Sequence, residues 1–235
     1  MEPIHAVLFD LHTTLVDGGD PLEWLQLAYQ GADEELPADV EAEVAFLDDM
    51  WTHARHIDPN DERDLDSTVH REMYDVMFAY ARTELGIDLS PAVADALYQV
   101  MPDLWRPYVD AAPVLRSLRS IGIKVALVSN VGIDVMPILE RSGLAPLLDE
   151  VVLSLHVGAV KPDPRIFTTA LDGLGVDPAQ ALMVGDTPSA DAGGVALGIR
   201  TLLLPRTPGR VKGLELVCRI VGAPVPDPAE YVDES

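Results

Sequence analysis

Hydrophobic positions in this chain fall into two kinds of pattern. Short continuous apolar runs occur at IHAVLF (4–9), IKVALVS (123–129), EVVLSL (150–155), ALMVG (181–185) and RTLLL (200–204). Runs of this length, rich in Val, Leu and Ile and without alternation, predict strands covered on both faces, as in a parallel sheet. Between them lie stretches with helical spacing. AAPVLRSLRSIG (111–122), VMPILERSG (135–143) and PRIFTTALDGLG (164–175) each end near a glycine, as a helix C-terminus should, and the Gly-rich ADAGGVALG (190–198) follows the same spacing. Strand and helix in repeated alternation imply right-handed crossovers. The predicted class is α/β, with a doubly wound, Rossmann-like parallel-sheet core.

Residues 17–105 break the alternation. Apolar residues there recur at three and four, at Val44, Leu47 and Trp51 and again at Met73, Val76, Met77 and Tyr80. That spacing predicts amphipathic helices packed on one another. Breakers stand at Asp58-Pro59-Asn60 and Leu89-Ser90-Pro91, so roughly four helices form an all-helical domain inserted after the first strand. The division is a core of 1–16 plus 106–235 and an insert of 17–105. The tail, PVPDPAEYVDES (224–235), is Pro-rich and acidic and is expected to be loosely held.

Charge narrows the partners. The chain has 235 residues and a formal net charge of −23, so phosphate backbones and anionic membrane surfaces are repelled and a nucleic-acid role is not expected. A free anionic substrate is repelled too, so any anion site must carry local positive charge. One cysteine, Cys218, excludes an internal disulfide framework, and a reducing cytoplasm is the expected location. The opening MEPIHAVLFDL lacks the basic flank and length of a signal peptide, and no apolar stretch reaches the span of a membrane helix.

Polar groups stand just past the predicted strands. Asp10 follows the first, Ser129 and Asn130 close the second, Lys161 follows the third, and Asp186 follows the fourth with Asp191 five residues on. Parallel strands place their C-terminal ends on one edge, so these groups converge on the crevice where doubly wound folds bind ligands. Carboxylates gathered in one crevice repel each other unless a cation joins them, and hard oxygen donors without a Cys or His cluster suit Mg²⁺. Asp10 is then a metal ligand or a nucleophile. Lys161 and Mg²⁺ would neutralise a phosphoryl group, and Ser129 offers a hydroxyl to its oxygens.

The motifs DLHTT, SN, KPDPRIF and GDTPSAD, in this order and each behind its own strand, resemble those of the haloacid dehalogenase-like superfamily. The helical insert is similar to that superfamily's α-helical cap, and the resemblance covers all but the tail. It implies that Asp10 is the nucleophile of an aspartyl intermediate. It implies that Mg²⁺ is held by Asp10, the backbone carbonyl of His12 and Asp186, with Asp191 as a further or supporting ligand. Ser129, Asn130 and Lys161 would hold the transferring group, and Thr14 would steady the first loop. The departure is His12: phosphatases of the superfamily carry a second Asp there as acid and base, and the dehalogenases carry Tyr and need no metal. Gly is usual where Thr13 stands, which tightens this loop. Imidazole can fill the acid/base role, and a neighbouring Asp10 carboxylate is expected to raise its pKa.

The expected activity is therefore Mg²⁺-dependent hydrolysis of a small phosphomonoester, with a small phosphorylated metabolite as the partner and a monomer or homodimer as the assembly. Two alternatives stay open: a hydrolase acting at carbon, as a 2-haloacid dehalogenase does, and a catalytically weak binding protein on the same fold. In the insert, His53, Arg55, His56, His70 and Arg71 are candidate substrate contacts. Trp24, Trp51 and Trp105 read as packing residues.

Overall fold

The computed structural model describes residues 2–59, 62–206 and 209–232. Its strands are β1 (Ala6–Phe9), β2 (Val16–Asp17), β3 (Arg106–Pro107), β4 (Lys124–Ser129), β5 (Glu150–Leu153), β6 (Ala181–Gly185) and β7 (Arg200–Leu203). Its helices are α1 (Pro21–Gly31), α2 (Glu41–Ile57), α3 (Ser67–Tyr80), α4 (Pro91–Leu104), α5 (Ala111–Ser120), α6 (Met136–Arg141), α7 (Ser154–Val157), α8 (Pro164–Leu174), α9 (Pro188–Asp191) and α10 (Glu215–Val221). Five strands form one parallel sheet in the order β5-β4-β1-β6-β7. The chain winds outward from β1 through β4 to β5, then returns to the other side of β1 for β6 and β7. The β1–β6 junction is thus the topological switch point of a doubly wound fold.

Continuous apolar strands are needed because both sheet faces are covered. Val7 and Phe9 of β1, Val125 and Leu127 of β4, and Leu182 and Val184 of β6 enter one apolar cluster. Their alternating neighbours Ala6, Leu8, Ala126, Val128, Ala181 and Met183 enter a second, smaller one closed by Ile166, Phe167 and Ala170 of α8. Asp163 caps α8 by accepting from the Arg165 N–H at 2.9 Å, and Gly175 ends it at φ 62°, in the left-handed region.

The larger cluster runs on into α1–α4, taking in Trp24, Leu25, Met50, Tyr74 and Leu97. Trp24 packs between α1 and α4 and donates from Nε1 to the Leu97 carbonyl at 2.8 Å. A two-residue antiparallel ribbon, β2 against β3, joins the helical layer to the sheet. It is too short to leave a periodic signal. No helix among the described residues is long and apolar enough to cross a membrane.

Three local expectations differ. EVVLSL is strand only to Leu153; Ser154 and Leu155 already belong to α7. The Gly-rich 190–198 stretch closes α9 and continues as a 3₁₀ helix, Ala192–Leu197, because it packs backbone-close against the loop at Pro162: a Cβ on Gly193 would lie 2.5 Å from the Pro162 Cβ. Val76 is exposed, since α3 buries the face of His70, Tyr74, Met77 and Phe78 instead. Met1 of the N-terminal reading, Asn60 of the first breaker and 233–235 of the tail lie outside the described residues. Within the described tail, Asp227 caps a 3₁₀ turn at Pro228–Glu230.

Behind the sheet edge, the fully buried Asp110 carboxylate accepts from the backbone N–H groups of Lys212 (3.0 Å), Gly213 (2.8 Å) and Leu214 (2.8 Å). Lys212 in turn donates from Nζ to the carbonyls of Leu204 (3.3 Å) and Pro205 (2.9 Å), which fixes the segment after β7. Asp110→Ala strands three buried donors and is expected to cost about 2–3 kcal/mol. Urea denaturation measures it, and a loss below about 0.5 kcal/mol would contradict this account of the segment.

Candidate active site

The strand ends converge as the topology requires. Asp10, just past β1, is tied to β6 by its N–H donating to the Val184 carbonyl at 2.9 Å. Lys161 Nζ donates at 2.7 Å to Asp10 Oδ1 and at 2.7 Å to Asp191 Oδ1, a buried bridge between two carboxylates. The other oxygen of Asp191 accepts from the backbone N–H of Asp186 (3.0 Å) and Thr187 (2.9 Å). This arrangement demands glycine before Asp186: a Cβ on Gly185 would fall 2.1 Å from Asp191 Oδ2. Asn130 holds Lys161 from the opposite side. Its Oδ1 accepts from the Lys161 N–H at 2.7 Å and its Nδ2 donates to the Lys161 carbonyl at 3.0 Å.

The loop after Asp10 winds around one carbonyl. The N–H groups of Thr14 (3.2 Å), Leu15 (2.8 Å) and Val16 (3.0 Å) all donate to the Leu11 oxygen. The tight winding forces Thr13 to φ 61°, the left-handed region where a β-branched residue is strained and glycine is at ease. Its hydroxyl donates to the His12 carbonyl at 2.6 Å, a local compensation. The His12 ring lies 5.0 Å from that of Trp105, tilted by 48°, and a Cβ on Gly18 would come within 2.5 Å of His12 Nε2. Gly18 therefore makes room for the imidazole.

Asp10, His12, Thr13, Asn130, Val131, Lys161, Asp186, Thr187 and Asp191 line a cleft of about 370 Å³. The helical layer supplies its other wall through Asp48, Asp49, Trp51, Thr52 and Arg55 of α2, the turn at Arg63 and Asp64, and His70 of α3. Spacings of three and four along α2 put Asp48, Trp51, Thr52 and Arg55 on one helix face. Ser154 Oγ clasps the two walls, donating to the Asp64 carbonyl at 2.5 Å and accepting from the Val131 N–H at 2.9 Å.

Burial sets the electrostatics. It pushes the Asp10 carboxyl up to about 6, against the opposing pull of Lys161 and with Asp191 adding to the rise. Burial alone would lower the Lys161 ammonium, but the two carboxylates more than offset that and hold it above its ordinary value. For His12, the expected rise from Asp10 is overruled. Burial brings the ring down to about 4, and Arg206 works the same way, against the raising influence of Asp186 and Asp17. An anionic group docked beside the ring would draw its pKa up again.

A family profile described as haloacid dehalogenase-like hydrolase matches residues 4–197. The chain belongs to this hydrolase family. It is 29% identical to a glyceraldehyde 3-phosphate phosphatase of Methanopyrus kandleri over 207 residues, 81% of this chain and 79% of that one. It is 28% identical to (S)-2-haloacid dehalogenase 4A of Burkholderia cepacia over 214 residues, 88% of this chain and 85% of the other. Higher identity, 40%, is reached with the haloacid dehalogenase-like hydrolase domain-containing protein 3 of Mus musculus, over 48% of this chain and 46% of that protein. The chain spans about half the length of several curated relatives that it matches. The hydrolase YfnB from Bacillus subtilis, solved bound to magnesium, shares the fold with a TM-score of 0.68 at 19% identity, covering 94% of this chain and 99% of that one.

Within this hydrolase fold the residues read from sequence do not all reach the cleft. Asp10, His12, Asn130, Lys161, Asp186 and Asp191 line it; Ser129 and Thr14 are buried and do not, and the Thr14 hydroxyl has no hydrogen-bond partner among the described residues. Both halves of the Asn130 amide are committed to the Lys161 backbone. Of the candidates in the insert, Arg55 and His70 face the cleft, whereas His53, His56 and Arg71 do not. His53 instead pairs with Asp49 at 3.7 Å, and Arg71 pairs with Asp95 at 2.7 Å. Trp51 and Trp105 line the cleft as well as packing.

Arg63, Asp64 and Arg206 also line the cleft and are not among the residues singled out from the sequence. The guanidinium of Arg63 stacks 5.2 Å above the Trp51 ring and pairs with Asp64 at 3.2 Å. Arg206 stands just past the fifth strand run, so the strand-end rule that located Asp10 would also have found it.

The residues at the centre fit a divalent cation by their chemistry. Asp10, Asp186 and Asp191 each bring an oxygen within 4.8 Å of the others, and one ammonium answers three carboxylates. Asp191 has both oxygens engaged, so the donors with room are Asp186 and the second oxygen of Asp10. Among the described residues, the Asp186 carboxylate accepts only from the Thr187 hydroxyl, at 3.3 Å.

His70 gives this wall a pH dependence. Burial, helped by Arg63, holds its pKa down to about 4, below the 6.5 of the unfolded chain. A depressed histidine favours the fold fully above the unfolded value, and that stability is lost as pH falls from about 6.5 toward 4. Wild type is expected to lose on the order of 2 kcal/mol more than His70→Gln between pH 7.5 and 4.5. Denaturant titrations at both pH values measure it, and equal losses in the two proteins would refute the assignment.

Proposed function

We propose that this chain hydrolyses small phosphomonoesters, with Asp10 as the nucleophile. The observation that carries the reading is the convergence of Asp10, Asp186 and Asp191 within 4.8 Å of one another, two of them bridged by the Lys161 ammonium. A hydrolase attacking carbon has no use for a third carboxylate that adds repulsion, whereas phosphoryl transfer gains from a cation seated there. The phosphatase among the relatives that match most of the chain supports the same reading.

In this reading Asp10 attacks phosphorus through the oxygen not held by Lys161. The bond from phosphorus to the ester oxygen breaks, and the departing alkoxide takes a proton from the His12 imidazolium formed when the anionic ester docks. Water then attacks the aspartyl phosphate and gives its proton to His12, releasing inorganic phosphate and restoring Asp10. Lys161 keeps Asp10 ionised and aimed, Asn130 keeps Lys161 in place, and Asp191 fixes Lys161 and the Asp186 backbone together. Magnesium, held by Asp10, Asp186 and the His12 carbonyl, would supply charge neutralisation for the phosphoryl group. The helical insert acts as a cap that sheds water from the closed cleft.

Asp10→Asn is expected to lower kcat on a phosphomonoester panel by about 1,000-fold or more, and EDTA to abolish turnover reversibly. His12→Ala is expected to cost about 100-fold and His12→Asp to recover most of it. Metal-independent halide release from 2-chloropropionate, with no phosphate released from any ester, would overturn the proposal. An alanine variant as active as wild type would remove His12 from it.

A further inference from the structure

The cleft holds four cations in different states of engagement. Lys161 is saturated by its two carboxylates at 2.7 Å each, and Arg63 is buried, stacked on Trp51 and paired with Asp64. Two guanidiniums remain. Arg55, on the cleft-facing side of α2, is exposed and forms no ion pair among the described residues. Arg206, just past β7, pairs among the described residues with Asp48 alone, at 3.8 Å, and both side chains are more than half exposed at 57% and 63%. Such a contact is nearly worthless energetically and readily exchanged. Arg206 and His12 line the same cleft, and in the reading above His12 serves the departing alcohol.

In a chain of net charge −23, the cleft is lined by two guanidiniums, one without an ion pair among the described residues and one only weakly paired. We propose that Arg206 and Arg55 grip a second anionic group carried by the leaving alcohol, so that the preferred substrate is a phosphomonoester bearing a carboxylate or a second phosphate, and that Asp48 occupies Arg206 until this group arrives. Guanidinium forks suit both anions. The inference rests on the phosphomonoesterase reading. It adds that the leaving-group side of the cleft selects charge rather than apolar bulk.

The test compares kcat/KM for ethyl phosphate, phosphoglycolate and ethylene glycol bisphosphate. These leaving groups share a two-carbon skeleton and differ in charge. Wild type is expected to prefer one or both charged esters by about tenfold or more, and the better of the two identifies the anion. Arg206→Gln and Arg55→Gln should each shrink that preference about tenfold, mainly through KM, and Arg206→Lys should restore part of it. Asp48→Asn should lower KM for the charged esters, a gain that a merely structural role for the pair does not produce. Wild type with equal kcat/KM on all three esters, or glutamine variants that keep the preference, would overturn the inference and leave the phosphatase reading intact. Failure to hydrolyse any of the three would remove both.

Discussion

The site depends on one buried cation. The Lys161 ammonium lies 2.7 Å from Asp10 and 2.7 Å from Asp191, and all three groups are almost wholly withdrawn from water. Desolvating three charges is costly, and their mutual attraction repays this only when geometry is close and the remaining lone pairs are satisfied. Both conditions are built into the backbone. Asn130 fixes the lysine main chain with two hydrogen bonds, and the N–H groups of Asp186 and Thr187 take the far oxygen of Asp191. Residues from four strand ends are thereby held as one unit. A fold selected for stability alone would do as well with apolar groups here, so the arrangement points to chemistry.

Much of this was legible because parallel sheets expose a simple rule. Strands buried on both faces read as unbroken apolar runs, and the residue after each run lies at the ligand edge. That rule found Asp10, Lys161 and Asp186. It over-reached at Ser129, which ends β4 with its side chain buried away from the cleft. It was not carried to the fifth run, where it would have found Arg206. Sequence gave no purchase on Arg63 and Asp64, because their segment is a single 3₁₀ turn with neither a strand-like run nor a helical period. The β2–β3 ribbon escaped for the same reason: two residues per strand carry no pattern.

The first loop shows how local chemistry and backbone shape are coupled. Winding three N–H groups onto the Leu11 carbonyl fixes where Asp10 and His12 project, and it leaves Thr13 at a positive φ. Such a conformation costs on the order of 1–2 kcal/mol for a non-glycine residue, and the hydroxyl bond to the His12 carbonyl offsets part of it. The imidazole needs its own allowance, which Gly18 provides by lacking a Cβ. His12, Thr13 and Gly18 form one linked adaptation, and a change at any of them alters the space available to the other two.

Charge sets the remaining constraint. A surface of net −23 disfavours the approach of any anion, and the reaction centre contributes three carboxylates of its own. Attraction must therefore be local, within about a Debye length of 8 Å at physiological ionic strength, and arranged in depth. The innermost cation is saturated and serves to position Asp10, so it adds little pull. A divalent ion at Asp10 and Asp186 would neutralise the centre, and the loosely engaged guanidiniums at the rim would offset the charge met on approach. Fixed positive charge at the rim is affordable to this chain because each weak pairing, such as Arg206 with Asp48, can be exchanged for a substrate contact without disturbing the buried bridge beneath it.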